Sequence, residues 1–545
     1  MLTVQRCLLA LSLASFLGLG RAAFASSFAG STSTAIFPPP GASVGAEAAF
    51  FPDAAEVGFA GPTPTGDEAE AIQTAPVIAE NNNIFPLIKP TTADKQPNFD
   101  ITQHWGNLSP WQSQQSFGLQ NATPVIPSGC MLNQVHLVHR HGARYPTSGE
   151  PASVFPAELQ AAVQARNVSA SGPLTFLNTW TFKLGAELLT PFGRSQLFNL
   201  GIGFRVKYGD LLKDFHDLPV FRTTSEERMV DSALHFAAGF FGVQQFQEDY
   251  HQLIIIEADG FNNTLNPPGV CTNANTAFDF GQSQAQVWGQ IYLQTALKRL
   301  QPFISGFTFQ LSDMFAMQQL CAYETVALGF SAFCDLFTEE EWKGFEYFSD
   351  LAFWYGNGPG NPSTSAQGIG YVQELVSRLT QTTLTQFNST TNGTLDGNPI
   401  TFPLNQAIYV DATHDTVLST IFPAMNFTSF TAGGPLPLTH IPVQQTYISS
   451  QIVPFGSNLV GQVLSCSSSN TPTHIRWIIN DAVVPLTGVN GCKADPNGLC
   501  DFNTFIAAMK QRIQEVDFSF DCFANITVPN PDQITTGQLP ANLKQ

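Results

Sequence analysis

Two short segments carry the residue types that phosphoryl chemistry needs. In Val138-His139-Arg140-His141-Gly142-Ala143-Arg144-Tyr145-Pro146, two arginines bracket one histidine. A guanidinium is a rigid fork of donors that matches phosphate oxygens in pairs and stays charged at any physiological pH, so Arg140 and Arg144 can hold one phosphoryl group between them. A neutral imidazole beside that group can attack phosphorus and split a difficult hydrolysis into two easier steps, and His141 is placed for this. Gly142 lets the backbone turn tightly, and Pro146 fixes the exit from the loop. Far along the chain, Thr413-His414-Asp415 supplies the complement. His414 can donate to the phosphate, and Asp415 can protonate a departing alkoxide. Each segment alone has a plainer reading, because basic loops form surface salt bridges and His-Asp also occurs in surface turns. His136, His139 and His141 also have metal-ligand chemistry. On a strand only 139 and 141 share a face, however, and no cysteine or carboxylate lies close in sequence. No metal is therefore expected, and His136 and His139 read as hydrogen-bonded core or supporting residues.

Reactive groups held this way need rigid elements behind them. Leu132 to His139 has the β-branched and apolar content of a buried strand that ends where His141-Gly142 begins a turn, and Ala407 to Asp411 reads as a second strand that delivers His414. Reactive residues at the carboxyl ends of strands are typical of α/β sites. The stretch between them reads as helical. Thr338-Glu339-Glu340-Glu341 is a capping box that opens a helix to Tyr355, stopped by Gly356. Further helices are expected over Ala285–Leu300 and Ile369–Leu379. His474 to Asn480 and Ala482 to Leu486 read as a hairpin turning at Asn480-Asp481.

The chain has 545 residues, 43% of them apolar, enough for a large core. Arg6, an apolar stretch from Cys7 to about Leu19, and small residues near Ala25 read as a signal peptide over 1–25, too short in its apolar part to span a bilayer. Residues 26–98, rich in Ala, Pro, Gly and Thr, read as a disordered linker or propeptide, and 530–545 as a tail. Without Cys7, eight scattered cysteines remain and no Cys-x-x-Cys pair occurs, which suits four disulfides in an oxidising compartment. Sequons at Asn107, Asn121, Asn167, Asn262, Asn388, Asn392, Asn426 and Asn525 agree with a secreted, N-glycosylated product. A net charge of -19 argues against nucleic acid or anionic membrane as partner, so a phosphorylated ligand requires a local positive pocket.

Taken together, the Arg-His-Gly-Ala-Arg-Tyr-Pro segment and the later His-Asp resemble the histidine acid phosphatase family, and among its members the fungal phytases, over about Phe99 to Ala524. Further matches are Leu189-Thr190-Pro191-Phe192-Gly193, Phe333 to Thr338, Gly360-Asn361-Pro362 and Asn480 to Leu486. The resemblance implies an α/β fold related to phosphoglycerate mutase with a mostly helical insertion. We place the catalytic module at 99–529, its α/β core at about 125–165 and 395–525, and the insertion at about 166–394. His141 is then expected as nucleophile, Asp415 as proton donor, and Arg140, Arg144 and His414 as phosphate ligands. Arg222, in Phe221-Arg222-Thr223-Thr224, is expected as a further phosphate ligand. The implied disulfides are Cys130–Cys466, Cys271–Cys522, Cys321–Cys334 and Cys492–Cys500, and no cofactor is implied. The expected activity is acid hydrolysis of a small phosphate monoester through a phosphohistidine, with phytate as substrate. The alternatives are a broad acid phosphatase or a non-catalytic phosphate-binding member; a mutase is disfavoured by secretion. Phytases of this resemblance place lysines after the first segment, whereas Thr147 to Ala165 has no Lys or Arg. Lys183, Lys207 and Lys343 are the candidates to replace that charge.

Overall fold

The computed structural model describes residues 48–58, 90–165, 168–213, 215–244, 246–529 and 532–544. The expected signal peptide and Asn167 lie outside these residues. Among the described residues ten strands form: β1 (Cys130–Arg140), β2 (Ser169–Ala170), β3 (Val220–Thr224), β4 (His251–Ile255), β5 (Ile304–Ser305), β6 (Ile408–Thr413), β7 (Asn458–Cys466), β8 (His474–Ile479), β9 (Ala482–Val484) and β10 (Cys500–Asp501). The helices are α1 (Ala54–Val57), α2 (Pro151–Gln164), α3 (Pro191–Tyr208), α4 (Glu227–Phe241), α5 (Thr272–Leu300), α6 (Leu311–Leu328), α7 (Glu339–Gly356), α8 (Thr364–Thr380), α9 (Asp415–Ala424), α10 (Ser449–Ile452), α11 (Phe502–Glu515) and α12 (Phe518–Phe523).

The main sheet runs β10-β8-β7-β1-β6-β3-β4, with β9 paired to β8, while β2 and β5 make a separate ladder. Strands β1, β6, β3 and β4 are parallel, so their carboxyl ends open on one edge. Side chains alternate across a strand, and β1 shows it: Val135 and Leu137 pack with Phe204, Phe236 and Phe240 of α3 and α4 on one face. Val138 faces the other layer, with Val372, Leu418 and Phe505 of α8, α9 and α11. β1 is buried on both faces from Val135 to Arg140, and its apolar Val135, Leu137 and Val138 supply both layers. A second core, with Leu159, Leu320, Tyr323 and Phe345, joins α2, α6 and α7.

Several boundaries differ from expectation. The sheet contains β3 and β4, so the α/β core takes in residues expected inside the helical insertion at 166–394; from α5 to α8 the chain is helical apart from the two-residue β5. Parallel strands need crossovers, and here α3 and α4 provide them. The helix expected from Ala285 begins at Thr272. The Thr338 capping box forms as expected, and α7 ends one residue late, with Asn357 as its C-cap. In the turn at Asn480-Asp481 both residues have positive φ, 45° and 73°, the geometry of a two-residue hairpin turn. Part of the expected linker is structured: Asp53 and Glu56 cap α1, Phe51 stacks on His251 at 4.3 Å, and Ala93 N–H donates to the Phe337 carbonyl. The tail is packed as well, with Ile534 and Leu539 buried and Lys544 on Asp521 at 2.8 Å. The four disulfides join the pairs the resemblance implied. No helix among the described residues is long and apolar enough to cross a membrane.

Candidate active site

Four parallel strands deliver the site. Arg140 ends β1 and His141 follows it; His414 and Asp415 follow β6; Glu226 and Arg228 follow β3; Glu257 follows β4. The loop after β1 is pinned from below by the start of α3. Thr190 N–H donates to the Ala143 carbonyl at 2.9 Å, and the Thr190 hydroxyl accepts from Gly193 N–H. A Cβ on Gly142 would meet the Gly193 carbonyl at 2.2 Å, and one on Gly193 the Ala143 carbonyl at 2.0 Å, so the crossing needs glycine on both sides. This accounts for the Leu-Thr-Pro-Phe-Gly stretch.

His141 is buried, and its Nδ1 lies 2.8 Å from the Gly142 carbonyl. A carbonyl only accepts, so Nδ1 carries the proton and Nε2 presents its lone pair. Burial, then Arg140, Arg228, Arg144 and His414, hold the His141 pKa well below the ordinary value. The imidazole thus stays neutral in acid, as a nucleophile must. The Arg140 guanidinium donates to the Asn107 carbonyl and, at 2.9 Å, to that of Val453, lies over Phe455, and contacts Asp415 at 2.7 Å. Arg144 donates to the Tyr145 carbonyl at 2.9 Å and reaches Glu150 at 3.5 Å.

His414 and Asp415 stand at the N-terminus of α9, where the helix favours negative charge. His414 Nε2 lies 2.9 Å from Glu257 and 3.9 Å from Glu226. Burial opposes a charge on His414, but Glu257 and Glu226 outweigh it and raise the pKa. Burial alone would raise Asp415. Arg140, the Asn107 amide, Arg144 and His414 overcome it and hold the carboxyl below its usual value.

Arg222 is a correction. Its guanidinium is tied into a buried network of carboxylates, at 2.6 Å from Asp411 and 2.5 Å from Glu374. The third arginine beside His141 is Arg228, in the first turn of α4, which contacts Glu187 at 2.8 Å and Glu226 at 2.5 Å. Sequence reasoning passed over Arg228 as well as Glu226, Glu257 and Asn107. The available signal was an arginine opening a helix directly after a buried strand. His136 and His139 are supporting residues: each is buried and neutral, with burial pushing its pKa down to about 3 and about 4. Lys207 and Lys343 pair with the surface carboxylates Asp481 and Glu339. A cavity of about 600 Å³ beside Val220, His251 and Gln406 opens at the amino ends of β3 and β4, and none of the site residues lines it.

Asn107 carries a further prediction. Its Nδ2 donates to Asp415 at 2.9 Å, and Ser109 of the same sequon is fully buried. Peptide mass spectrometry is expected to find Asn107 unglycosylated. A hydrogen bond to the carboxylate lowers its pKa, so Asn107→Ala is expected to raise that of Asp415 and move the alkaline limb of kcat/KM upward by roughly half to one pH unit.

The fold and the sequence point to the same relatives. The model of the histidine phosphatase superfamily (branch 2) matches residues 131–480. Phytase A of Aspergillus fumigatus is 35% identical over 429 residues, covering 75% of this chain and 88% of that protein. Phytase A of Aspergillus oryzae is 33% identical with the same coverage. Among solved structures, the phytase from D. castellii superposes with a TM-score of 0.62 at 24% identity, over 81% of this chain and 91% of that one. The multiple inositol polyphosphate phosphatase of Bifidobacterium longum, in complex with inositol hexasulfate, gives 0.53 at 12% identity, over 74% of this chain and 96% of that one. With the match spanning both the His141 loop and the His414-Asp415 turn, the chain belongs to the histidine phosphatase superfamily, branch 2.

Proposed function

We propose that the protein is a secreted acid phosphomonoesterase that acts on phytate through a phosphohistidine at His141. The observation that carries this reading is the His141 tautomer: Nδ1–H is fixed on the Gly142 carbonyl, leaving Nε2 free among Arg140, Arg144 and Arg228. In the proposed reaction the phosphoryl group is held by these arginines and by His414 at the α9 N-terminus. Nε2 attacks phosphorus, the P–O bond to the alcohol breaks, and the leaving oxygen takes a proton from Asp415. The deprotonated Asp415 then draws a proton from water, whose oxygen attacks the phosphohistidine and frees phosphate.

Asp415 must enter this cycle protonated, whereas Arg140 holds it ionised in the resting enzyme. A bound phosphate dianion engages Arg140 and repels the carboxylate, and both effects raise the Asp415 pKa. Activity is therefore an acid-range property that falls as pH rises through the pKa of Asp415 in the complex. Four disulfides support secretion, and exposed Asn121 and Asn525 are the sequons best placed for glycans.

Broad monoesterase action is a second reading favoured by one observation. Glu150, Glu187, Glu226 and Glu257 stand around the cations, and Lys207 and Lys343 are engaged elsewhere. The test is the ratio of rates on phytate and a simple aryl phosphate, with Arg228→Ala beside the wild type. Turnover of both, with KM raised roughly 10- to 100-fold by the substitution, is expected from losing a charge-assisted contact of about 1.5–3 kcal/mol. Turnover of the aryl ester alone would select the second reading.

A further inference from the structure

We propose that Glu226 is a built-in competitor for the phosphoryl group, occupying on Arg228 and in front of His414 the place a phosphate oxygen takes. This rests on the assignment of Arg228 and His414 as phosphate ligands made above.

Three carboxylates from three elements meet two cations. Glu187, in the loop before α3, takes one terminal nitrogen of Arg228 at 2.8 Å. Glu257, after β4, takes His414 Nε2 at 2.9 Å. Glu226, the N-cap residue of α4, takes the other terminal nitrogen of Arg228 at 2.5 Å and stands 3.9 Å from His414. Its carboxylate caps no N–H of its own helix, so the side chain is directed at the cations rather than at local structure. Glu187 and Glu257 each orient one cation. Glu226 bridges both and is the surplus negative charge, facing Arg228 from its own helix, Glu187, Glu257 and His414.

A dianion entering this pocket meets a carboxylate already seated on its ligands. Either Glu226 swings away as an anion, against repulsion from the incoming charge, or it takes up a proton and lets go of Arg228. Burial and the neighbouring Glu257 raise the Glu226 pKa, while His414 and Arg228 lower it, with a net upward shift. The protonated route is thus open in acid and closes as pH rises. Anion affinity should be linked to one proton on Glu226, separately from the proton Asp415 delivers to the leaving group.

Sulfate binding by calorimetry to the full-length protein tests this, because the sulfate dianion takes up no proton in the working range and no turnover is needed. At about pH 6.5, Glu226→Gln is expected to bind sulfate about tenfold tighter than the wild type, with affinities within about twofold at pH 4.5, the pattern of a roughly one-unit proton linkage removed. Glu226→Asp, which keeps the charge, is expected to keep the wild-type pH dependence and controls for altered folding. Parallel pH dependences for wild type and Glu226→Gln, or weaker binding by the glutamine variant at both pH values, would overturn the proposal. Sulfate affinity unchanged by Arg228→Ala would instead overturn the ligand assignment beneath it, while hydrolysis of an aryl phosphate reports on the phosphatase reading independently.

Discussion

His141→Ala is expected to lower phosphate release from phytate and from an aryl phosphate ~10,000-fold or more, because it deletes the atom that bonds to phosphorus rather than one that steadies it. The fold should survive the change. Gly142, Thr190 and Gly193 hold the loop through backbone contacts that do not involve the imidazole, and the one hydrogen bond lost is to a backbone carbonyl. Sulfate should still bind through the arginines. In the wild type, intact-protein mass spectrometry of a base-quenched reaction, where the N–P bond survives, should find one phosphoryl group, absent from the variant. The pH profile carries the same assignment. His141 is held neutral by burial and three arginines, so the acid limb should lie well below the ordinary histidine range, and Asp415 should set the alkaline limb. A variant that kept a large share of the rate, or a wild type without phosphorylated protein during turnover, would remove His141 from the chemistry and favour a non-catalytic or differently catalysed member of the family.

What could be read from the sequence divides along a physical line. The His141 loop and the His414-Asp415 turn were legible because each packs several residue types with one chemical purpose into consecutive positions after an apolar run. Parallel strands buried on both faces leave that signature whatever else surrounds them. The membership of β3 and β4 in the sheet was not legible. These strands are only five residues long; β3 is placed beside β6 by a partner some 190 positions away in the chain, and β4 then pairs with β3. Arg222 and Arg228 show the consequence most sharply. Arg222 lies at the centre of β3 and Arg228 six positions on in the first turn of α4, and a strand residue and a first-turn helix residue at that spacing point to different surroundings. The local cue, an arginine opening a helix after a buried strand, favours Arg228 but does not show what either side chain meets. The acidic residues around Arg228 and His414 were hidden for the same reason, since Glu187, Glu226 and Glu257 converge only once three separate connections are closed.

Arg222→Leu is the second large effect expected, and on stability instead of catalysis. Arg222 and Arg378 hold Asp411 between them, at 2.6 Å from each, while Glu374 takes Arg222 at 2.5 Å and accepts from the Thr264 hydroxyl at 2.8 Å. Asp396 stands 3.7 Å from Arg222, and burial with the nearby Glu374 raises its pKa well above the carboxylate range. With Asp396 protonated, two guanidinium charges balance two carboxylates, and the network beside β3 and β6 is neutral. Removing Arg222 leaves Glu374 buried without its cation and Asp411 with one in place of two, so the loss should be about 3–5 kcal/mol, seen as a lower midpoint of urea unfolding. Asp411→Asn should act in the same direction, because it strands two arginines. The catalytic consequence separates the two roles an arginine on this segment can have. Molecules of the Arg222→Leu variant that remain folded should keep the wild-type KM for an aryl phosphate and the wild-type affinity for sulfate, whereas folded Arg228→Ala should lose both. A stable Arg222→Leu protein with a raised KM would return Arg222 to the phosphate site and require its side chain to leave Asp411 and Glu374 when substrate binds.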